Sequence, residues 1–190
     1  MKDLIKDFKW AVLYLGIMWG LEMFLNPLDA FGLRPGRADT LGLIGIFAAP
    51  FLHGNAQHLI GNTIGYVPLA SLTILKAPGQ FNKNFWIISV LTGAAVWVMG
   101  QPGSIHVGAS GTIYGFFGFC LLSAVFRLDF PNLVCAVLTW IVFQDLIGGM
   151  SPTLASQGIS WEGHLFGFLS GAIAGYLDSI SQQKQQEISH

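Results

Sequence analysis

Ser110 and His164 each open a long apolar stretch beside glycines, in Gly108-Ala109-Ser110-Gly111 and His164-Leu165-Phe166-Gly167. An aliphatic hydroxyl is a weak nucleophile until a base takes its proton during attack, and histidine is a suitable base. Small residues at a turn into a helix keep the hydroxyl accessible. They also leave first-turn N–H groups without partners at the positive end of the helix dipole, which suits an oxyanion. His58 and Asn62 open another apolar stretch four residues apart, hence on one helical face. Side-chain donors there could serve the same oxyanion, each worth on the order of 3 kcal/mol in acyl transfer. Tyr114 shares a face with Ser110 by the same spacing. Taken singly, each residue also has a structural reading. Ser110 could bond a carbonyl one turn back, His58 could sit at an interface, Asn62 could bridge helices and Tyr114 could pack in a core. His164 resists such a reading, because an ionisable group among glycines inside an apolar span is a functional candidate by default.

These residues need elements to hold them, and composition says what kind. Of 190 residues, 9 are Lys or Arg and 10 are Asp or Glu, against about 25% charged in an ordinary soluble domain. With 53% hydrophobic residues, the chain lacks the polar surface a water-soluble globule needs. A net charge of −1 leaves no basic field for phosphates, so nucleic acid is excluded as a partner and the lipid bilayer is expected instead. Six apolar windows are predicted to form helices, at about 10–26, 56–75, 84–100, 109–126, 132–149 and 164–180. The first follows Lys2, Lys6 and Lys9 but carries Glu22 and no small-residue cleavage site, and reads as a retained anchor. Residues 27–55 read as one long loop, and residues after 180 as a polar tail.

If each window crosses once, Lys2, Lys6, Lys9, Lys76, Lys83, Arg127 and Lys184 fall on one side and Arg34 and Arg37 on the other. Both termini are then cytoplasmic. Windows two, four and six run inward, which brings His58, Asn62, Ser110 and His164 to one membrane level near the outer face. Gly111, Gly115 and Gly118 form one smooth stripe and Gly167, Gly171 and Gly175 another, so the fourth and sixth windows are expected to pack closely and to bring Ser110 to His164.

In combination these motifs resemble the rhomboid family of intramembrane serine proteases: His58-x-x-x-Asn62, then Gly108-Ala109-Ser110-Gly111 with Tyr114, then His164-x-x-Gly167-x-x-x-Gly171, in that order within six windows. The resemblance covers about residues 10–180. It implies an all-α six-transmembrane-helix bundle forming a single domain, with a first outer loop that re-enters or lies on the membrane. It implies a Ser110–His164 dyad with no catalytic carboxylate and Tyr114 stacked beneath His164. An oxyanion hole would be built from Asn62, His58 and the Ser110 N–H beside Gly108. It also implies substrates that are single-span or other membrane proteins, cut near small and helix-weakening residues after lateral entry between the second and fifth helices. The loop 150–163, given freedom by Gly148, Gly149 and Gly158, would act as a cap. Two departures stand out: residues 27–55 lack the family's Trp-Arg pair, and Gly163 stands where alanine is frequent.

The remaining polar residues read more plainly. Cys120 and Cys135 lie in apolar stretches and read as buried small hydrophobes. Glu22 and Asp145 are expected to be structural or hydrating, and His106 and His190 to be solvated. His53 invites a metal reading with His58 and His164, but there is no His-Glu-x-x-His, and neither metal nor cofactor is expected. Rival functions are a non-catalytic scaffold, which would lack the serine and histidine, and a transporter, which would need polar residues through the full depth. A chain of this kind is expected in a bacterial plasma membrane.

Overall fold

Short polar side chains start several helices by accepting hydrogen bonds from first-turn N–H groups: Asp39 from Gly42, Asn55 from His58 and Asp129 from Asn132. The protein is described over residues 1–189 by a computed structural model. Among these residues eight α-helices follow one another: α1 (Lys2–Phe24), α2 (Leu28–Phe31), α3 (Thr40–Ala48), α4 (Ala56–Lys76), α5 (Phe81–Met99), α6 (Ser110–Phe126), α7 (Phe130–Phe143) and α8 (Trp161–Ser189). Turns of 310 helix fill Ala49–Phe51, Gln144–Met150 and Pro152–Gln157. The described residues form no strand, only an isolated antiparallel bridge between Leu33 and His106.

Several boundaries differ from the sequence expectation. The helix expected from residue 10 starts at Lys2, because apolar windows mark burial in lipid while helical hydrogen bonding continues through polar residues. Within that polar start Asp7 is buried and accepts from the Gly79 N–H at 2.6 Å, fastening α1 to the turn after α4. The expected polar tail continues α8 to Ser189. The expected fifth helix divides, α7 ending at Phe143 and 310 turns carrying the chain to Met150. The long outer loop contains α2 and α3. It lacks a tryptophan of its own, but Trp97 of α5 supplies one: its Nε1 donates to the Arg37 carbonyl at 2.9 Å, and Gly36 N–H donates to the Trp97 carbonyl at 2.8 Å. His190 lies outside the described residues.

The core between α1, α4, α5 and α6 is aromatic. Tyr14 stacks on Phe85 with ring centres 4.2 Å apart, and Phe81, Phe85 and Phe116 are fully buried beside Tyr66. The α6–α8 contact is of another kind. A Cβ placed on Gly167 or Gly171 would overlap the backbone of Gly111 or Gly115, and one on Gly118 would overlap Phe168. The two helices therefore meet backbone to backbone, as the glycine stripes predict. At the opposite end of α4 from His58, Lys76 and Asp178 pair at 3.6 Å with both side chains buried, tying α4 to α8.

Two helical segments are long and apolar enough to cross a bilayer by themselves, Ala56–Lys76 and Phe130–Met150. Of the other long helices, α6 has 17 residues, α5 starts with the polar run Asn82-Lys83-Asn84, and α1 and α8 carry charged ends. The outer surface is strongly apolar, with Leu133, Val137, Leu138, Ile141 and Val142 exposed on α7 and Ile60, Ile64 and Val67 on α4.

Candidate active site

Three helix starts converge on one cavity of about 500 Å³, whose walls include His58, Asn62, Ser110 and His164. His58 and Asn62 come from the first two turns of α4, Ser110 is the first residue of α6, and His164 lies in the first turn of α8. All four expected polar residues are thus brought together. The glycine contact sets the approach of α6 to α8, since any side chain at Gly167 would push His164 and Ser110 apart.

His164 is held on two sides. Its ring lies flat on Tyr114, with centroids 4.1 Å apart and an interplanar angle of 7°. Its Nδ1 meets the Gly149 carbonyl at 2.8 Å. A carbonyl only accepts, so Nδ1 carries the proton and donates, which leaves the Nε2 lone pair free to act as a base. The backbone carbonyl thus orients the imidazole, the task a carboxylate performs in a three-residue triad. A Cβ on Gly149 would overlap the Tyr114 hydroxyl and lie 3.4 Å from His164 Nδ1. Gly149 is therefore required by close approach to Tyr114 and His164. The Ser110 hydroxyl forms no hydrogen bond among the described residues, and its backbone N–H belongs to the first turn, where no intrahelical acceptor exists.

Gly108 has φ +110°, a conformation that favours glycine, and a Cβ there would stand 2.8 Å from His58 Nε2 and 3.0 Å from Asn62 Nδ2. Its absence lets both side chains reach the start of α6. Asn62 Nδ2 is buried without a hydrogen-bond partner. An orphaned buried donor is costly, and a developing negative charge in the cavity would satisfy it.

Two histidines that the sequence set aside also belong here. His53 is 1% exposed, meets His58 edge-on at 5.1 Å, and accepts from the Ala109 N–H at 3.5 Å, directly before Ser110. Burial, then the neighbouring His58, pushes its imidazole down to about 4, so it is neutral near pH 7. No third His, Cys, Asp or Glu joins them as a metal ligand set among the described residues. His106, expected to be solvated, is buried. Ser104 Oγ donates to the Gln101 carbonyl at 2.6 Å, so it accepts from His106 Nε2 at 2.7 Å. His106 Nδ1 then accepts from the Ser160 hydroxyl at 2.5 Å, and Ser160 accepts in turn from Gly163 N–H at 3.3 Å. This chain ties the segment before Ser110 to the start of α8. It also explains Gly163, where a Cβ would lie 2.7 Å from Ser160 Oγ. Burial lowers the His106 pKa, and Glu162 opposes that shift. The lone histidine in a polar link carried no sequence signal for this role. One Glu22 oxygen is buried without a partner, and Asp145 is exposed.

A rhomboid domain model matches residues 41–181. An uncharacterized protein of Mycobacterium tuberculosis is 35% identical over 169 residues, spanning 86% of this chain and 70% of that protein. Another uncharacterized protein, from Mycobacterium leprae, is 36% identical over 177 residues, spanning 88% and 68%. Rhomboid-like protease 5 of Toxoplasma gondii is 24% identical over 128 residues, 66% of this chain and 15% of that protein.

Proposed function

This chain belongs to the rhomboid family, and on that premise we propose that it is an intramembrane serine endopeptidase cutting peptide bonds in or beside substrate membrane helices through a Ser110–His164 dyad. The observation that carries the reading is the hold on His164: stacked on Tyr114 and donating Nδ1–H to the Gly149 carbonyl, it keeps Nε2 unprotonated as a base on the wall of the cavity that Ser110 shares.

The Ser110–His164 hydrogen bond closes as substrate enters, as catalytic hydrogen bonds in unliganded sites often do. Nε2 takes the hydroxyl proton while Oγ attacks the carbonyl carbon. The oxyanion gathers the Ser110 N–H, the orphaned Asn62 Nδ2–H and His58. His164 then protonates the leaving amine and, from the acyl-enzyme, activates a water that releases the second product. Stacking on Tyr114 steadies the imidazolium while it lasts. The chemistry asks for no metal or cofactor.

In this reading α1, α4, α5, α6, α7 and α8 are six spans of one domain with both termini cytoplasmic. The exposed Leu41, Leu43, Ile44 and Phe47 of α3 rest in the outer leaflet. The bacterial relatives support a bacterial plasma membrane, and the partners are single-span or other membrane proteins. The test is cleavage of a model single-span substrate by purified protein in detergent. Ser110→Ala and His164→Ala should each lose at least about 10⁴-fold in kcat. A fluorophosphonate should label Ser110 only while His164 is intact. Equal cleavage by Ser110→Ala would sink the dyad. A reporter fused after His190 should behave as cytoplasmic, and an external reading would invert the proposed topology.

A further inference from the structure

Two buried thiols lie far from the site just described. The chain has 2 cysteines, both free, on different helices: Cys120 on α6 and Cys135 on α7. The fold brings both to one turn of α4, Cys120 beside Thr73 and Cys135 beside Leu72 and Lys76, close enough for the two thiols to interact. They differ in access. Cys120 is fully buried, with Thr73 Oγ1 3.6 Å from its sulfur. Cys135 is half-buried and lines a cavity of about 430 Å³ between α4 and α7, together with Leu72, Lys76, Phe130, Asn132 and Leu138. Lys76 lies 18 residues beyond His58 on α4, about 27 Å along the helix, so this cavity is separate from the candidate active site.

Two cysteines serving only as small hydrophobes need neither mutual contact nor a path to the surface. A reachable sulfur backed by a shielded partner is the arrangement in which one thiol is oxidised and the second resolves it. The thiolate is the reactive form and a nearby cation favours it; Lys76 lines the same cavity, its charge shared with Asp178. We propose that Cys120 and Cys135 form an oxidation-sensitive dithiol that a hydroperoxide closes into a disulfide between α6 and α7. The Cys135 thiolate attacks the hydroperoxide, the O–O bond breaks, the alkoxide leaves and is protonated to the alcohol, and Cys135 becomes a sulfenic acid. Cys120 sulfur then attacks the sulfenic sulfur, the S–O bond breaks, and water departs carrying the thiol proton. In total two thiols lose two electrons to one hydroperoxide, giving a disulfide, an alcohol and water; a dithiol reductant reverses it.

The bond would tether α7, whose chain continues through the 310 turns to Gly149, the residue that orients His164. That consequence rests on the protease reading, whereas the bond itself does not.

The folded full chain in detergent micelles is treated with stoichiometric hydrogen peroxide. Both free thiols should disappear, the intact mass should fall by two hydrogens, the chain should stay monomeric on a non-reducing gel, and dithiothreitol should restore it. In Cys120→Ser, Cys135 should accumulate as a sulfenic acid trapped by dimedone; in Cys135→Ser, Cys120 should stay unlabelled. Thiols that survive in folded protein, loss of thiols only through dimers, or equal dimedone labelling of the two variants would overturn the pair. Cleavage by the oxidised wild type should slow several-fold while peroxide-treated Cys135→Ser is unchanged. A disulfide that forms without slowing cleavage overturns the tether and leaves the bond. If Ser110→Ala cleaves as well as the wild type, the protease reading falls and the mass readout still decides the dithiol.

Discussion

The α6–α8 seam and the α4–α7 flank are both helix contacts, yet they are built on opposite plans. At the seam, Gly111, Gly115, Gly118, Gly167 and Gly171 clear the line of closest approach, so there the helices stand where their backbones touch, with Tyr114–His164 and Phe117–Phe168 packed beside that line. On the flank, a cavity of about 430 Å³ separates α4 from α7, and most of the large side chains of α7 point outward. Backbone contact has one solution, whereas side chains across a gap have many rotamers. The difference teaches where precision is concentrated: Ser110 and His164, the pair of the proposed dyad, sit on the seam. The helices that would admit a substrate in the proposed function are joined loosely. The two sides differ because lipid supplies no hydrophobic drive between helices, so only close packing or polar bonds can hold them tightly.

The comparison breaks first at the seam. Gly171→Leu should cost more than about 3 kcal/mol, a fall of about 10 °C in thermal unfolding in detergent, since no rotamer avoids the Gly115 backbone. A melting curve like the wild type's would show that the seam is not set by backbone contact. Next comes the cavity wall that α4 contributes. Asn62→Ala should lower kcat by about 10² to 10³ without moving the melting temperature, because Asn62 Nδ2 is unpartnered at rest and is an oxyanion donor in the proposed mechanism. An equal loss in stability would make Asn62 structural instead.

The loop residue His53 gives a smaller, pH-dependent effect. Folded, it protonates only near about 4; unfolded, it does so near its ordinary 6.5. The unfolded chain therefore holds the extra proton between those values, and stability should decline as pH falls from 6.5 towards 4. His53 contributes up to about 3 kcal/mol to that decline, complete at the lower end and absent above the upper. Thermal melts across this window should show it, and His53→Gln should leave only the residual slope that His106 and other groups supply. An unchanged slope in His53→Gln would mean that the imidazole is not held neutral. The smallest effects belong outside the seam. Val137→Ala on the exposed face of α7 and Gly16→Ala, where a Cβ meets nothing within 4 Å, should each change stability by no more than about 1 kcal/mol. A large loss at Gly16 would erase the contrast between seam glycines and open ones.

Much of this was legible in the residues. Scarce charge marked a chain whose outer surface is apolar, the four-residue glycine spacings marked the seam, and His58, Asn62, Ser110 and His164 were found at the helix starts that line one cavity. Helix ends were read less well, because apolar windows report burial while helical hydrogen bonds run on through lysines and glutamines, as at both ends of the chain. The outer loop was read as irregular because α2 has 4 residues and α3 has 9, too short for periodicity to register.

Local spacing thus determined which residues share a helical face and which faces are smooth, since those follow from 3.6 residues per turn alone. Only the tertiary structure decided the partners that lie far apart in sequence. It set the Gly149 carbonyl on His164 Nδ1, His53 on the Ala109 N–H, His106 between Ser104 and Ser160, and Cys120 and Cys135 beside one turn of α4. A backbone carbonyl carries no side-chain signature, and a buried histidine reads like a solvated one until the surrounding helices close over it.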